Sequence, residues 1–190
     1  PRNKILITGY TKIETLFNDK NGRADKPRNK VNILFAPTHN ASNKVSAYKT
    51  LFNRLSLNAK EFNIITSPHP VNDNKNLTLR QYLFSDVVIS DCSSTVYEAW
   101  ALGIPVVFPD WLVKDNIIKK YPGSFEEIIY KKNIGFHASK PAELIKMIYR
   151  AKEYGLDEQT IEFIEGIFPA ELRGKSGKAT AQKLLEIASK

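Results

Sequence analysis

Residues 86–108 read DVVISDCSSTVYEAWALGIPVVF and carry the clearest structural signal of the chain. The apolar run at 86–90 is typical of a buried strand, and a second apolar run begins around Gly103 and Pro105. Between the two runs, a pair of serines opens a segment of helical composition. The order strand, tight turn, helix, turn and strand is the unit from which parallel α/β sheets are built.

The rest of the chain continues this alternation. Short apolar runs bounded by glycine or proline predict strands, and apolar residues three to four positions apart predict helices. We predict strands at 4–9, 32–37, 62–66, 86–90, 104–109 and 134–137, helices at 46–60, 79–84, 141–154, 157–164 and 177–189, and a loop at 18–30. This alternation predicts an α/β fold with a Rossmann-like parallel sheet and helices on both faces, in one domain that spans residues 1–190.

Two of the predicted helices are amphipathic. The helix at 141–154 is expected to place its apolar residues on the core side, namely Leu144, Ile145, Ile148 and Tyr149. The closing helix at 177–189 is expected to do the same with Ala181, Leu184, Leu185 and Ala188. Both expectations depend on spacing alone.

The composition is that of a globular protein, with 42% hydrophobic and 25% charged residues. No apolar run reaches the ~20 residues that a membrane-spanning helix needs. The net charge of +8 suits a polyanionic partner or peripheral contact with an anionic membrane. No basic helix or aromatic RNA-binding motif indicates nucleic acid. Cys92 is the only cysteine, which suits a reducing compartment. We therefore expect a cytoplasmic protein that can contact the inner face of the cell membrane.

The turn at 91–94 predicts an anion-binding site. Ser93 and Ser94 offer hydroxyl groups beside the first backbone N–H groups of a helix, where phosphates bind readily. Glu98 lies about one turn further along, where a carboxylate can accept hydrogen bonds from ribose or other ligand hydroxyls. Asp91 can contact the ligand or cap the helix, and each serine can also be a cap only. The interpretation is a site for a nucleotide diphosphate or a similar ligand.

Further polar residues follow the other predicted strands. In parallel α/β sheets, ligands bind beyond the carboxyl ends of the strands, so Gly9, Thr38 and His69 are expected near the same site. His69 lies between Pro68 and Pro70, which fix its backbone, and a fixed imidazole can donate to a diphosphate oxygen or act as an acid. The candidate catalytic residue is therefore His69. The candidate donor-binding or phosphate-binding residues are Gly9, Thr38, Asp91, Ser93, Ser94 and Glu98. The three scattered histidines lack the spacing of a metal site.

Four short blocks carry a resemblance, and the match as a whole extends over most of the chain. They are residues 4–10, which end in Thr-Gly-Tyr; residues 33–38, which end in Ala-Pro-Thr; residues 67–70, Ser-Pro-His-Pro; and residues 91–94, Asp-Cys-Ser-Ser. In this order they resemble the C-terminal half of the CDP-glycerol glycerophosphotransferase family, with Cys92 in the place of a tyrosine. The resemblance implies one half of a GT-B architecture, the two-domain B type in which two Rossmann-like halves face a cleft.

The resemblance also implies a reaction. This half would bind a CDP-activated donor, and an upstream half would bind the acceptor. A hydroxyl group of a teichoic-acid-type cell-wall or capsule polymer, or of a lipid-linked acceptor, would attack the donor, and a nucleotide would leave. His69, Ser93 and Ser94 would then stabilise the leaving phosphates. The resemblance implies no bound cofactor and no metal.

One stretch departs from that family, which usually has aspartate at the position of Glu98. Residues 98–105 are closer to B-type glycosyltransferases that use nucleotide sugars and to UDP-N-acetylglucosamine 2-epimerases, in which the acidic residue typically holds the ribose. The donor therefore stays open between CDP-glycerol, CDP-ribitol and a nucleotide sugar. A 2-epimerase and a non-catalytic nucleotide-binding module are the remaining alternatives.

Overall fold

The computed structural model describes residues 5–19, 29–38, 46–47, 51, 60–67 and 78–189, and the statements below concern these ranges. Within them, five strands form one parallel sheet. The strands are β1 (Val31–Phe35), β2 (Phe62–Thr66), β3 (Val87–Ile89), β4 (Val106–Pro109) and β5 (Phe136–Ala138).

The spatial order of the strands is β2-β1-β3-β4-β5. In this register Ile33 lies opposite Val87, and Val107 lies opposite Phe136. The chain builds β2 on one side of β1 and then returns to the other side to build β3. The boundary between β1 and β3 is therefore the topological switch point of the sheet, where ligands of open α/β folds bind.

The strands at this boundary are short apolar runs because both faces of the sheet are covered. Ile33 and Leu34 of β1 and all three residues of β3 have no exposed surface. A parallel sheet that is buried on both faces selects such continuous runs over an alternating pattern.

The α-helices with described bounds are α1 (Glu14–Asn18), α2 (Thr78–Gln81), α3 (Ser94–Ala101), α4 (Asp110–Lys120), α5 (Phe125–Lys132), α6 (Leu144–Tyr154), α7 (Glu158–Glu165) and α8 (Ser176–Ala188). Short 3₁₀ helices at Thr11–Ile13, Tyr82–Phe84, Pro141–Glu143 and Ala170–Leu172 adjoin or connect them. Helix α6 packs against β3, β4 and β5, while α3 and α4 contact β4. Trp100 of α3 meets the ring of Phe108 edge-on, with the ring centroids 5.9 Å apart. The sheet is thus flanked by helices, and the predicted Rossmann-like α/β fold is confirmed.

Most predicted boundaries agree with the structure to within two residues. The strand predicted at 62–66 is β2, and the unit predicted over 86–108 is β3, α3 and β4. The closing helix predicted at 177–189 is α8. These elements have local signals, namely a continuous apolar run or a regular helical spacing between turn residues.

The strand predicted at 4–9 is wrong, because the described residues 5–9 pair with no strand of the described ranges. Ile5 and Ile7 are 73% and 74% exposed. An apolar run has the side chains typical of a strand, but it forms a strand only where its backbone can pair with the edge of a sheet.

The predicted inner face of α8 is also wrong, since Leu184 and Leu185 are 60% and 69% exposed. The helix is attached through its first turn instead. Ser176 is buried there, and the N–H of Gly177 donates to the carboxylate of Glu14. In α6, Leu144 and Ile148 are buried as predicted, whereas Ile145 and Tyr149 are exposed.

Three sequence predictions lie largely outside the described residues. They are the loop at 18–30, the helix at 46–60 and the turn around His69. Among the residues that are described, no helix is long and apolar enough to cross a membrane. The same ranges contain no cluster of three or more His, Cys, Asp or Glu side chains that could hold a metal ion.

Candidate functional site

The carboxyl ends of β1 and β3 meet at the switch point. The backbone N–H of Ala36, just after β1, donates to the carbonyl of Ile89 at 3.0 Å. The hydroxyl of Ser90, just after β3, donates to the carbonyl of Ala36 at 2.7 Å. These bonds hold Thr38 and the turn at 91–94 at one edge of the sheet. The structure thereby brings together two of the strand ends that the sequence predicts to meet.

Asp91 is the buried centre of this edge, with 1% of its surface exposed. Its Oδ1 atom accepts from the N–H of Thr38 at 2.8 Å and from that of Cys92 at 2.7 Å. Its Oδ2 atom accepts from the N–H of Ala47 at 2.8 Å. Burial raises the pKa of the carboxyl to about 6, although these N–H groups act in the opposite direction. Asp91 therefore does not cap α3, and its enclosed carboxylate offers no surface to a ligand.

Ser93 and Ser94 open helix α3 and face different surroundings. Ser93 is the N-cap residue, and its side chain makes no capping hydrogen bond. Its Oγ lies 3.2 Å from Oγ of Ser90. Since the Ser90 proton is donated to a carbonyl, the Ser93 proton is the one that joins the two hydroxyls. Ser94, the first residue of the helix, is exposed.

The first turn of α3 supplies backbone donors at this edge. The N–H of Val96 bonds to the carbonyl of Ser93 at 3.1 Å. The N–H groups of Ser94 and Thr95 belong to the first turn, which has no intrahelical acceptors. Together with the helix dipole, they favour an anion beside the hydroxyl of Ser94.

Cys92 lies between these groups, and its side chain is partly buried. Burial raises the pKa of the thiol, and the nearby carboxylates of Asp91 and Glu126 raise it further. A nucleophilic cysteine needs the opposite, because the thiolate is the reactive form. The thiol therefore stays protonated and packs against the core.

Glu98 is enclosed within the protein, and its side chain is only 2% exposed. Oε1 accepts from the hydroxyl of Tyr10 at 3.0 Å and from Nζ of Lys12 at 2.7 Å. Oε2 accepts from the hydroxyl of Tyr82 at 2.8 Å. The structure thus gives Glu98 an internal role that departs from the predicted contact with ligand hydroxyls. A ribose could reach this carboxylate only after Tyr10 or Lys12 had moved.

The pKa values of the two tyrosines that contact Glu98 are raised. Burial and the charge of Glu98 raise the pKa of Tyr10 to about 12. The same two causes raise the pKa of the more deeply buried Tyr82 well above its ordinary value. Both phenols therefore remain neutral hydrogen-bond donors, which is what a buried carboxylate needs.

Gly9 is not part of the carboxyl edge either. It has a φ of +94°, and a Cβ atom at this position would collide with the side chain of Ser176 at the start of α8. The small cavity beside it is also lined by Ala101, at the far end of α3 from Ser94. The glycine therefore permits a close approach between the N-terminal segment and α8.

Two clefts lie away from the switch point between β1 and β3. One, of about 240 Å³, lies at the amino ends of β3 and β4 and is lined by Asp86 and Pro105. The other, of about 490 Å³, contains His137, whose Nδ1 lies 2.7 Å from Oδ1 of Asp110 and whose ring stacks on Phe108. We place the candidate site at the switch point in preference to either cleft, because there the strand topology coincides with the first-turn N–H groups of α3, for which the described residues provide no intrahelical acceptor.

The sequence gives no sign of three residues in this arrangement. Lys12, Tyr10 and Tyr82 enclose Glu98 from 86, 88 and 16 residues away in the chain, and no local pattern links any of them to this carboxylate. The only hint is the odd placement of a carboxylate in an otherwise apolar helix, VYEAWA, since a buried Glu must be paired. Thr38 is partly exposed at the edge, and its contact with a ligand stays a prediction.

The fold is that of a Rossmann-like half of a GT-B architecture, and solved structures share it. No protein-family model and no curated protein matches the sequence. The wall teichoic acid polymerase TagF, as a histidine-to-alanine variant, matches with a TM-score of 0.62 and 19% identity over 100% of this chain and 54% of that chain. A histidine-to-asparagine variant of TagF soaked with CDPG matches with a TM-score of 0.61 and 20% identity, over 98% of this chain and 51% of that chain. A further TagF structure matches with a TM-score of 0.58 and 18% identity, over 97% of this chain and 52% of that chain. The likeness is one of fold, and this chain spans about half the length of the chains that it matches.

Proposed function

We propose that this chain is the donor-binding half of a transferase. It moves glycerol phosphate, or a related polyol phosphate, from a CDP-activated donor to a hydroxyl group of a cell-surface polymer. The observation that carries the proposal is the position of helix α3, whose first turn opens at the switch point of the sheet with Ser94 exposed. The fold shared with TagF, one structure of which was soaked with CDPG, supports the same choice of donor.

In this proposal the donor diphosphate lies at the carboxyl edge. The hydroxyl of Ser94 and the first N–H groups of α3 donate to its oxygens, and Thr38 contributes from the neighbouring strand end. The hydroxyl of Ser93 becomes available when it turns away from Ser90. His69, which follows β2 by three residues in the sequence, completes the set as a donor to the leaving phosphate.

The proposed reaction is a phosphoryl transfer. An acceptor hydroxyl oxygen forms a bond to the phosphorus that carries the glycerol, and the bond from that phosphorus to the bridging oxygen breaks. CMP leaves with the bonding electrons, and the hydroxyl proton passes to a base. Negative charge grows on the leaving phosphate, where Ser94, the N–H groups and His69 stabilise it.

The acceptor is supplied from outside this half. We propose a polymer or lipid-linked acceptor, held by a second, upstream half and approached at the inner face of the cell membrane. The net charge of +8 supports this placement, since it attracts both an anionic polymer and an anionic lipid surface.

Amide chemical-shift mapping with CDP-glycerol tests the proposal. We expect the largest shifts at the amides of Ser94, Thr95 and Thr38. The control residues are Ser85 and Gly155, which line the cleft at the opposite edge of the sheet and should not respond. Shifts confined to that opposite cleft would contradict the proposal. A response to UDP-N-acetylglucosamine but not to CDP-glycerol would instead transfer the assignment to a nucleotide sugar.

A further inference from the structure

The carboxylate of Asp91 joins chain segments that are far apart in the sequence. Thr38 lies 53 residues and Ala47 lies 44 residues before Asp91. Both donate a backbone N–H to it at 2.8 Å, one to each carboxylate oxygen. The hydroxyl of Ser46 adds a bond of 2.9 Å to the carbonyl of Thr38, so the two donor segments are also tied to each other.

The backbone of Asp91 is held from a third direction. The hydroxyl of Tyr130, in α5, donates to the carbonyl of Asp91 at 3.2 Å. The residue is therefore a junction between the segment after β1, the turn before α3, and α5. Three charge-assisted bonds to one buried carboxylate are stronger than the neutral hydrogen bonds around them.

We propose that Asp91 is a positioning residue of the donor site. It fastens the chain at Thr38 and at Ala47 onto the turn that begins α3, and donor affinity depends on this fastening although Asp91 touches no ligand. This inference rests on the proposed function, because the site that Asp91 organises is the one assigned there to the donor diphosphate.

The titratable groups around Asp91 are few among the described residues. Cys92 faces it from the same turn, and Tyr130 faces it from α5. Glu126 and Lys120 act on Cys92 from α5 and α4. The pKa of Asp91 of about 6 means that its charge changes between pH 5 and pH 7. The protonated acid is a weaker acceptor for the three N–H groups, so the fastening loosens as the pH falls.

The substitution Asp91→Asn distinguishes a positioning role from a purely electrostatic one, because the two roles predict opposite changes in diphosphate affinity. It removes a negative charge close to a proposed anion site, which by itself would strengthen binding of a diphosphate. It also replaces an oxygen acceptor by an NH₂ group that cannot accept the N–H of Thr38 or of Ala47. Positioning therefore predicts weaker binding in the variant, whereas a purely electrostatic influence predicts tighter binding.

The matched control is Asp86→Asn. Oδ2 of Asp86 accepts from the backbone N–H of Asn32 at 2.8 Å, so this side chain also joins the chain of β1 to that of β3. It does so at the amino edge of the sheet, away from the proposed site. Like Asp91→Asn, this variant removes a carboxylate that links two strands, but it leaves the carboxyl edge of the sheet unchanged.

The experiment is a calorimetric titration of the 190-residue chain with CDP-glycerol from pH 5 to pH 8. This probe carries no phosphate proton that titrates near pH 6, because both of its phosphates are esterified or bridged. We expect Asp91→Asn to bind at least about tenfold more weakly than wild type at pH 8, with Asp86→Asn within about twofold. Wild-type affinity should fall toward that of Asp91→Asn below pH 6, and the variant should show no such dependence.

Unchanged or tighter binding by a folded Asp91→Asn overturns the inference. Hydrogen exchange at the amides of Thr38 and Ala47 gives a measurement that needs no ligand. Asparagine keeps one acceptor oxygen, so in Asp91→Asn we expect faster exchange at whichever of the two amides faces the NH₂ group, and in Asp86→Asn unchanged exchange at both. If wild type does not bind CDP-glycerol, the proposed function fails, and with it the positioning of a donor site. The exchange rates at Thr38 and Ala47 then still test whether Asp91 holds these two segments. Unchanged rates in Asp91→Asn would show that it does not.

Discussion

Nζ of Lys12 lies 2.7 Å from Oε1 of Glu98. The lysine lies between this buried carboxylate and the solvent. Lys12 is 49% exposed and Glu98 is 2% exposed, so the ion pair closes the surface over an internal charge. Through this pair the N-terminal segment is attached to the helix that begins at the candidate site. Among the described residues, removing the lysine leaves the carboxylate with two neutral tyrosine donors and no cation.

We therefore expect Lys12→Met to destabilise the fold by about 3 kcal/mol, the low end of the cost of breaking a buried ion pair. The control is Lys183→Met, because Lys183 pairs with Glu186 at 2.9 Å with both side chains about half exposed. Such a surface pair is worth about 0–1 kcal/mol. Urea unfolding of both variants measures the difference, and equal losses would show that Lys12 is an ordinary surface lysine.

The pKa of Tyr10, about 12, gives the fold a dependence on alkaline pH. The unfolded tyrosine loses its proton near pH 10, whereas the folded one keeps it until about pH 12. The folded state thus binds more protons in this window, and stability falls as the pH rises through it. We expect Tyr10→Phe to lose stability less steeply than wild type between pH 10 and pH 12. Parallel curves of unfolding free energy against pH would contradict the raised pKa of Tyr10, which burial and the charge of Glu98 produce.

The two serines at the start of α3 are expected to differ in function. Ser94 is exposed at the helix end, so Ser94→Ala should weaken CDP binding by about tenfold or more, the effect of losing a hydrogen bond to a charged group. Ser93 is engaged with Ser90, so Ser93→Ala should cost less than about threefold. Calorimetry with CDP and with cytidine measures both, and Ser94→Ala should leave the weak binding of cytidine unchanged. The reverse order of effects would place the phosphate elsewhere.

His69 and His137 are expected to give opposite phenotypes when changed to alanine. His69→Ala should lower transferase turnover by about a hundredfold, as for one lost transition-state donor, and leave the melting temperature unchanged. His137→Ala should lower the melting temperature, because that ring stacks on Phe108 at 4.7 Å and bonds to Asp110. Turnover is measured in the protein that carries this chain together with its acceptor-binding half. Near wild-type turnover in His69→Ala would remove it from the site.

The sequence predicts the parts of this fold that depend on local signals. The unit from β3 to β4 needs only two apolar runs, a turn and a helical spacing, and all of these lie within residues 86–108. The role of Asp91 depends instead on two N–H groups more than forty residues away. No local pattern distinguishes such a junction from a helix cap, which is why the carboxylate could be located in advance but its contacts could not.

The failed predictions have a similar cause. Residues 5–7 and the positions Leu184 and Leu185 have the apolar character of a strand and of an inner helix face, yet they are exposed. Apolar spacing shows which side chains can be buried, and the tertiary fold determines whether a surface is available to bury them. Glu98 illustrates the converse, because a charged residue is buried where three donors from distant segments converge on it.

Calorimetric titration of wild type with CDP and with cytidine is the most direct test of the proposed donor site. The two ligands share the base and the ribose and differ only in the diphosphate. A site at the start of α3 predicts that CDP binds at least about tenfold more tightly, a difference of about 1.4 kcal/mol or more. Equal affinity for the two, or no binding of either, would contradict the account.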